Sequence, residues 1–413
     1  MEEAVPDASE QRLQHFLSES PWDSDAVCVQ VAQEADALLG GQPDSSLLLD
    51  ESGLTKKGSR SVGVARQYNG RLGKVDNCQV GVFAVLAHGA SACPVGFRLY
   101  LPEEWTHDPA RCRQAHVPAA HQTFHTKPEL ALALVREARQ RHLRFAWVQG
   151  DGGYGHDLKL SQALDDDGER FVLDVHKTQQ VYLEDPRPQV PPQGSGRGRR
   201  PVHLRAQTQA RTVERWAKCQ KKTAWKELEV RHTTRGLLRL EWLCRTVWVW
   251  DGKAAHARRW RLLVTRDVEQ PDQWKYSLSN APDSVSDEEL VRQKAQRFWI
   301  ERQFEDAKGQ VGMNQYQVRG WRGWHHHMAL VSVAMLFMLQ ERQQKTCTHP
   351  LLSCADVVEV LQYLLPKRKN SLPEVLRQLE SRHARRQAAI ESAYRQQEKR
   401  RRQRARPPSS QKR

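Results

Sequence analysis

Pattern and composition predict an α/β protein in which a mixed sheet with flanking helices is interrupted by a β-rich insertion. Short apolar runs that end in acidic residues indicate buried strands. Segments with apolar residues at helical spacing lie between these runs, and a tryptophan-rich stretch of alternating polar and apolar residues lies in the second half of the chain. The 413 residues, 39% of them hydrophobic and 27% charged, suffice for a globular protein of two or three domains.

Residues 1–44 are predicted to form an N-terminal helical region. Apolar residues recur at helix-like spacing over residues 10–17 and 25–39. Gly40 and Pro43 then end the helical pattern, because neither residue favours a helix interior.

The next segment, residues 45–176, carries a recognisable order of elements. We predict four strands, a helix, a strand, a helix and a strand, at residues 46–50, 61–68, 78–87, 95–101, 127–142, 144–149, 157–164 and 170–175. The dipeptide Asn69-Gly70 predicts a tight turn between the second and third strands. This order is that of a ribonuclease-H-like fold, in which the first strand and the strand after the helix are parallel neighbours. Acids that end those two strands would meet at one edge of the sheet, so the segment is interpreted as the first part of a ribonuclease-H-like catalytic core.

Residues 177–285 are predicted to form the β-rich insertion. Residues 184–201 are rich in Pro, Gly and Arg and predict a flexible connector. Alternating polar and apolar residues predict four antiparallel strands, at 226–232, 237–250, 258–266 and 273–279. Seven of the thirteen tryptophans lie in this region, mostly as expected core residues. A separate β domain would give the same pattern, and the sequence leaves both arrangements open.

The remaining chain is predicted to be helical. Residues 286–345 form the second part of the catalytic core, with one helix that begins after Ser286 and ends near Gly309 or Gly312. A second helix, over residues 321–344, is apolar enough to be a core element. Residues 346–413 are predicted to be a basic helical and disordered tail.

The charge balance points to a polyanionic partner. The net charge is +15 and the pI about 9.6, which favours nucleic acid, with a ribosome-bound or membrane-surface protein as the alternative. Acidic residues open the chain where a signal peptide would be basic and then apolar, and the longest apolar stretch is too short to span a bilayer. We therefore expect a cytoplasmic protein that does not enter a membrane. The eight cysteines show no C-x2-C pair, so no zinc site is expected.

Three acidic residues stand where a metal-dependent DNA-cutting site needs them. Asp50 and Asp151 end the two strands expected to be neighbours, and Glu301 lies in an R-x3-E-x6-K pattern on a predicted helix. Offsets of four and seven fall on one helix face, so Arg297, Glu301 and Lys308 are expected to align. A carboxylate flanked by cations can hold a metal beside a phosphate.

Two Mg²⁺ ions held by these carboxylates could cut a phosphodiester bond, since one would activate water and the other would stabilise the leaving oxygen. Asp50 is the expected bridging ligand. Simpler roles exist: an Asp at the end of a strand can cap a helix, and Glu301 can form an ion pair with Arg297 without binding a metal. Glu305 is an alternative ligand to Glu301. Among the basic residues after the first acid, Lys56, Lys57 and Arg60 are candidates for DNA backbone contacts, with a solvated loop as the alternative.

The chain resembles bacterial insertion-sequence transposases of the DDE class, in the branch with a Y-x2-R-x3-E-x6-K (YREK-type) signature. The resemblance extends from about residue 20 to 345. The similar segments lie at residues 49–58, 61–68, 73–79, 99–102, 126–130, 150–155 and 320–325.

The resemblance implies a metal-binding triad of Asp50, Asp151 and Glu301, with two Mg²⁺ ions that Mn²⁺ can replace. It also implies that Arg297 and Lys308 contact DNA phosphate near the cleavage site. The DNA partners would be the terminal inverted repeats of the element and a double-stranded target. The protein would act as a homodimer on DNA, in the cytoplasm of a bacterium and associated with the nucleoid.

Two features depart from this family pattern. Lys294 stands where the signature has tyrosine, and we expect it to contact phosphate as a point charge. The segment before Asp50 is shorter than the N-terminal helical region of relatives, so a shortened region is expected. Two rival functions follow: an impaired relative that only binds DNA, and a ribonuclease-H-like nuclease that cuts without strand transfer.

Overall fold

The computed structural model describes residues 6, 8–70, 72–192, 201–233, 236–343, 351–366 and 371–404. Residues 17–359 form one compact unit, and residues 1–16 with 360–413 form another. Parts of the predicted connector and of the predicted tail, residues 193–200 and 405–413, lie outside the described residues.

The elements follow the predicted order closely. The helices are α1 (Glu10–Ser18), α2 (Ser24–Leu39), α3 (Glu103–Thr106), α4 (Pro109–Gln114), α5 (Lys127–Gln140), α6 (Gly152–Gly155), α7 (Leu158–Asp166), α8 (Val213–Lys218), α9 (Asp287–Gln296), α10 (Phe298–Gly309), α11 (Trp321–Gln343), α12 (Cys354–Leu364) and α13 (Leu372–Arg404). The strands are β1 (Ser46–Thr55), β2 (Ala65–Asn69), β3 (Lys74–His88), β4 (Ser91–Leu99), β5 (Trp147–Gly150), β6 (Phe171–Val175), β7 (Gln180–Val181), β8 (Arg211–Thr212), β9 (Lys226–Thr233), β10 (Gly236–Val249), β11 (Arg258–Asp267) and β12 (Gln270–Ser279).

One large mixed sheet organises residues 17–359, and with its flanking helices it confirms the predicted mixed α/β class. Its strand order is β2-β3-β1-β5-β6-β12-β11-β10-β9, and β4 pairs with β3. Strands β1, β5 and β6 are parallel, whereas the other pairings in this sheet are antiparallel. The tryptophan-rich strands continue the same sheet, because β12 pairs with β6.

The three parallel strands are short apolar runs because both of their faces are covered. On one face, Leu47 and Leu49 belong to the largest core cluster, with residues of α2, α5 and α7. On the other face, Leu48 packs with Ile300 of α10, and Val172 packs with Leu290 of α9. Helices α9 and α10 therefore cover the face of the sheet that carries the even-numbered residues of β1 and β6.

The hairpin expected at Asn69-Gly70 is present, since Asn69 of β2 pairs with Lys74 of β3. Strand β2 starts later than predicted, at residue 65, because the preceding residues form a turn. In that turn the Val64 N–H donates to the Ser61 carbonyl at 3.1 Å, and Gly63 has a φ of +70°.

The helix expected to carry Arg297, Glu301 and Lys308 together is interrupted, so that prediction was wrong in detail. Helix α9 ends at residue 296 and α10 begins at 298, with Arg297 between them. The Ala295 carbonyl accepts from the backbone N–H of Arg297 and from the Arg231 guanidinium, the latter at 3.0 Å. Because these contacts take that carbonyl out of the regular helical pattern, the Arg297 side chain starts from a junction and not from a helix interior.

The longest described helix, α13, belongs to the second unit. It carries ten Lys or Arg residues against four Glu. In this unit Arg385 pairs with Glu10 at 2.7 Å. No helix within the described part of the chain is long and apolar enough to cross a membrane.

Candidate active site

The register of the parallel strands brings three aspartates to one level of the sheet. Leu49 of β1 pairs with Gly150 of β5, and Gly150 pairs with Leu173 of β6. The residue after each of these three is an aspartate: Asp50, Asp151 and Asp174. Neighbouring strands lie about 4.8 Å apart, so the three carboxylates start from adjacent positions in one row.

Asp50 and Asp174 lie on the face of the sheet covered by α9 and α10. Side chains alternate between the two faces of a strand, so Asp50 lies on the face of Leu48 and Asp174 on the face of Val172. Leu48 and Val172 pack against α10 and α9, respectively. The row of acids therefore meets the junction between these two helices.

The Arg297 guanidinium lies at the centre of this group. Its Nη1 donates to Oδ2 of Asp50 at 3.1 Å, and its Nη2 donates to Oε1 of Glu301 at 2.9 Å. Its Nε lies 3.9 Å from Oδ2 of Asp174. One cation thus joins a strand acid to the helix acid, which brings Asp50 and Glu301 to the same place.

Asp50 is a buried carboxylate with strong electrostatic coupling. Burial raises its pKa to about 7; the negative charge of Asp151 adds to the increase, and Arg297 opposes it. The backbone N–H of Glu51 donates to its Oδ1 at 2.7 Å. Burial and the neighbouring acid therefore make the ionised form of Asp50 less favourable than in water, and Arg297 offsets part of that cost.

Asp151 also caps a helix, a role that the sequence analysis offered for an Asp at the end of a strand. Its side chain caps α6 by accepting from the Gly153 N–H at 2.9 Å. Among the glycines that follow, Gly155 must be small because of the packing inside the fold. A Cβ at Gly155 would lie 1.9 Å from the carbonyl oxygen of Asp174, so α6 packs directly on β6.

Asp174 is the acid that the sequence interpretation missed. Lys294 Nζ lies 2.9 Å from its Oδ1 and 3.0 Å from its Oδ2, and the Ser277 hydroxyl donates to Oδ1 at 2.6 Å. Burial alone would raise the pKa of Asp174, but the charges of Lys294 and Arg297 outweigh it and lower the pKa below its usual value. An acid inside the apolar run of β6 was the available signal, because a buried charge needs a partner.

Of the two candidate helix acids, Glu301 is the one that contacts the group. Its side chain is 55% exposed and reaches Arg297. Glu305 is exposed and pairs with Arg302 at 3.4 Å. Lys308 is partly buried, with its Nζ 5.6 Å from the ring centre of Phe304.

Lys294 differs most from its predicted place. Its side chain is only 8% exposed, and its ammonium group is held by Asp174. A contact between Lys294 and DNA phosphate would require the ammonium to leave this partner. The structure therefore gives Lys294 an internal ion pair where the sequence suggested a surface cation.

The three cations after β1 lie in two environments. Lys56 Nζ donates to the Tyr316 carbonyl at 2.9 Å and lies 3.3 Å from the centre of that ring, and burial lowers its pKa to about 8. Lys57 and Arg60 are exposed. Six residues of extended chain separate Lys56 from Asp50 by about 20 Å. Lys56 is therefore distant from the acids, but a long ligand could contact both.

The donor chemistry of Asp50, Asp151 and Glu301 fits a hard divalent cation, because all three offer carboxylate oxygens. Among the residues that the structure describes, no three His, Cys, Asp or Glu side chains are close enough to form a metal cage. The Arg297 guanidinium instead bridges Asp50 and Glu301. The Asp50 and Glu301 side chains are thus held near one another by a shared cation.

A family comparison decides the class of protein. Residues 1–237 match the family described as DDE superfamily endonuclease. The chain belongs to this family. The matched part of this DDE-family chain includes Asp50, Asp151 and Asp174 and ends before Glu301, so Glu301 is connected to the site by its contact with Arg297.

A named relative is similar to part of the chain. Over 179 residues the DDE-family chain is 31% identical to a protein of Microchaete diplosiphon named "Probable transposase for insertion sequence element IS701". The match covers 42% of this chain and 43% of that relative's length. Among solved structures, the NurA nuclease from Sulfolobus solfataricus aligns with 83% of this chain and 99% of its own, at 9% identity and a TM-score of 0.27, which carries no argument about fold or function.

Proposed function

We propose that the chain is a DNA transposase that cleaves DNA at the ends of an insertion sequence and joins the freed 3′-OH to target DNA. The main support for this proposal is that Asp50 and Asp151 follow paired residues of two neighbouring parallel strands. Arg297 forms ion pairs with both Asp50 and Glu301 and so brings Glu301 to the same site. Membership of the DDE endonuclease family and the similarity to a probable transposase support it.

The strand order supports a ribonuclease-H-like core. Strands β4, β3, β1, β5 and β6 lie side by side in that order, and β1, β5 and β6 are parallel. Under this proposal, residues 45–176 and 286–345 form the core and β9–β12 extend its sheet. Acids that follow parallel strands lie at the edge where open α/β sheets bind their ligands.

Asp50, Asp151 and Glu301 would hold the divalent metal, most simply two Mg²⁺ ions. When bound, such ions activate water and stabilise the oxygen that leaves the phosphorus atom. Arg297 keeps Asp50 and Glu301 together and neutralises their charge. Its Nη groups and the Lys308 ammonium would bind the DNA phosphate beside the acids.

Double-stranded DNA is the proposed partner. The net charge of +15 favours binding to a phosphate backbone, and Lys57 and Arg60 are exposed for such contacts. Insertion of an element requires both of its ends, so we propose that two copies act as a homodimer on terminal inverted repeats and a target, in the bacterial cytoplasm.

A second candidate is a DNA endonuclease that cuts without joining. The family is described by endonuclease activity alone, which favours this candidate. The same acids would serve both reactions, since hydrolysis and strand transfer differ in whether water or a 3′-OH attacks.

Replacing Asp50 tests the proposed metal site. We expect Asp50→Asn to reduce Mg²⁺-dependent cleavage of DNA by at least about a hundredfold, because a group that supports charge in the transition state is lost. DNA binding in a gel-shift assay should change little. Asp36→Asn is the matched control, because the Asp36 side chain is buried to a similar extent and pairs with Arg144, outside the row of acids. Cleavage that persists in Asp50→Asn would disprove the assignment.

A further inference from the structure

We propose that Asp174 is a positioning residue of this active site, which with Lys294 fixes the Arg297 guanidinium between Asp50 and Glu301. This inference rests on the proposed function, because it assigns a role around the metal-binding acids. It also gives Lys294 a purpose at the position where the family signature has tyrosine.

Asp174 is placed to orient Arg297 and not to bind a metal. Its Oδ1 accepts from Ser277 at 2.6 Å and lies 2.9 Å from Lys294 Nζ. Its Oδ2 lies 3.0 Å from Lys294 Nζ and 3.9 Å from Arg297 Nε. Both oxygens are thus engaged by protein groups, whereas Glu301 remains 55% exposed.

Different nitrogen atoms of the Arg297 guanidinium contact different acids. Its Nε edge faces Asp174, and its two Nη groups reach Asp50 and Glu301. The Nε–Oδ2 distance of 3.9 Å is that of an ion pair without a hydrogen bond, and attraction along this edge favours the orientation in which the Nη groups face Asp50 and Glu301. Asp174 therefore sets where Arg297 presents its Nη groups.

Charge balance gives Asp174 a second effect on the site. Lys294 and Arg297 are both buried cations, with side chains 8% and 17% exposed, and Asp174 lies between them. Without this carboxylate, Lys294 would be an unpaired buried charge that repels Arg297. Asp174 thus offsets the repulsion between the Lys294 ammonium and the Arg297 guanidinium.

The tryptophan-rich strands contribute to this arrangement. Ser277 of β12 is the register partner of Asp174 in β6, and its hydroxyl bonds to that carboxylate. The added half of the sheet therefore supports the proposed active site directly.

A double variant shows whether Asp174 positions Arg297 or only neutralises the charge of Lys294. Asp174→Asn combined with Lys294→Met removes one buried negative and one buried positive charge, so the net charge of the site is unchanged. If Asp174 only neutralises Lys294, this variant should bind metal as the wild type does. If Asp174 positions Arg297, metal affinity should fall about tenfold, which is the usual effect of losing a group that orients the ligands.

The readout is the Mg²⁺ concentration that gives half of the metal-induced rise in melting temperature, measured on the full chain without DNA. We expect a midpoint about tenfold higher in the double variant. Asp36→Asn, which breaks a partly buried pair with Arg144, should lower the melting temperature and leave the midpoint unchanged. A wild-type midpoint in the double variant would overturn the Asp174 proposal alone. A wild-type protein that neither responds to Mg²⁺ nor cuts DNA would overturn the proposed function and this inference together.

Ser277→Ala provides a milder variant in case the double variant does not fold. It removes one hydrogen bond to Asp174 and no charge. We expect a midpoint raised about two- to threefold, a smaller effect than loss of the whole orienting group. An unchanged midpoint in Ser277→Ala would also contradict the proposal.

Discussion

Asp50 lies between a cation and an anion, with only 14% of its side chain exposed. Burial and the neighbouring Asp151 disfavour its ionised form, whereas Arg297 favours it. The raised pKa, about 7, means that ionisation of Asp50 costs more in the folded chain than in the unfolded chain. A divalent cation would reverse this preference, because it stabilises the ionised carboxylate.

This pKa predicts a pH-dependent stability for the metal-free protein. The folded-state pKa lies above the ordinary value of 3.8, so the stabilisation from protonated Asp50 is complete below about pH 4 and is lost as pH rises through about 7. Asp50→Asn lacks this loss. We expect the melting temperature of Asp50→Asn minus that of the wild type, measured in a chelator, to increase from pH 5 to pH 8.

The difference in melting temperature between Asp50→Asn and the wild type reports on Asp50 and not on the other titrating groups. Burial lowers the pKa of His325 to about 3 and that of His327 below its usual value. Both histidines are present in the wild type and in Asp50→Asn, so their effect on stability cancels in the difference. A difference in melting temperature that stays constant from pH 5 to pH 8 would contradict the buried, coupled state of Asp50.

Lys294 shows why spacing alone misplaced a cation. The contact with phosphate was expected because Lys294 is a cation at the signature position of tyrosine. Its partner, Asp174, is 120 residues away in sequence, on a strand that becomes a neighbour only in the folded sheet. Asp50, Asp151 and Glu301 could be proposed from local pattern, but the ion pair that buries Lys294 could not.

The elements themselves were largely predictable. The order of strands and helices from β1 to β6 follows apolar periodicity, and the four strands β9 to β12 follow alternation. The pairing of β12 with β6 was not predictable, because periodicity carries no information about which strands become neighbours. At the break between α9 and α10, the Ala295 carbonyl accepts from Arg231, which lies 64 residues away in sequence.

Packing of α10 on β1 should control how well Glu301 is placed. Ile300 is fully buried against Leu48 and Val85 and directly precedes Glu301. We expect Ile300→Ala to lower the free energy of unfolding by about 2–5 kcal/mol, as loss of a buried side chain does. Cleavage should also fall at a temperature where the variant is folded, measured as turnover per folded molecule.

Leu262→Ala provides the matched control, because Leu262 in β11 is equally buried but belongs to a different core cluster. It should lose stability to a similar extent and retain turnover. Equal turnover per folded molecule in the two variants would show that the contact between α10 and β1 does not position Glu301.

In the part of the chain that the structure describes, a mixed sheet of ten strands brings together the two halves of the proposed site, since Asp50 and Glu301 lie 251 residues apart in sequence. The net charge of +15 should make DNA binding weaken as salt increases, because each phosphate contact releases counterions. The proposed cleavage of DNA is consistent with membership of the DDE superfamily endonuclease family.

Strand transfer is the most direct test of the proposed activity. The protein would be incubated with Mg²⁺, a labelled DNA that carries the inverted repeats flanking its own coding sequence, and a circular target plasmid. We expect labelled ends joined covalently to the plasmid, with no joined product when Mg²⁺ is chelated. Cut ends without joined product would contradict the transposase assignment in favour of an endonuclease, and bound but uncut DNA would contradict both.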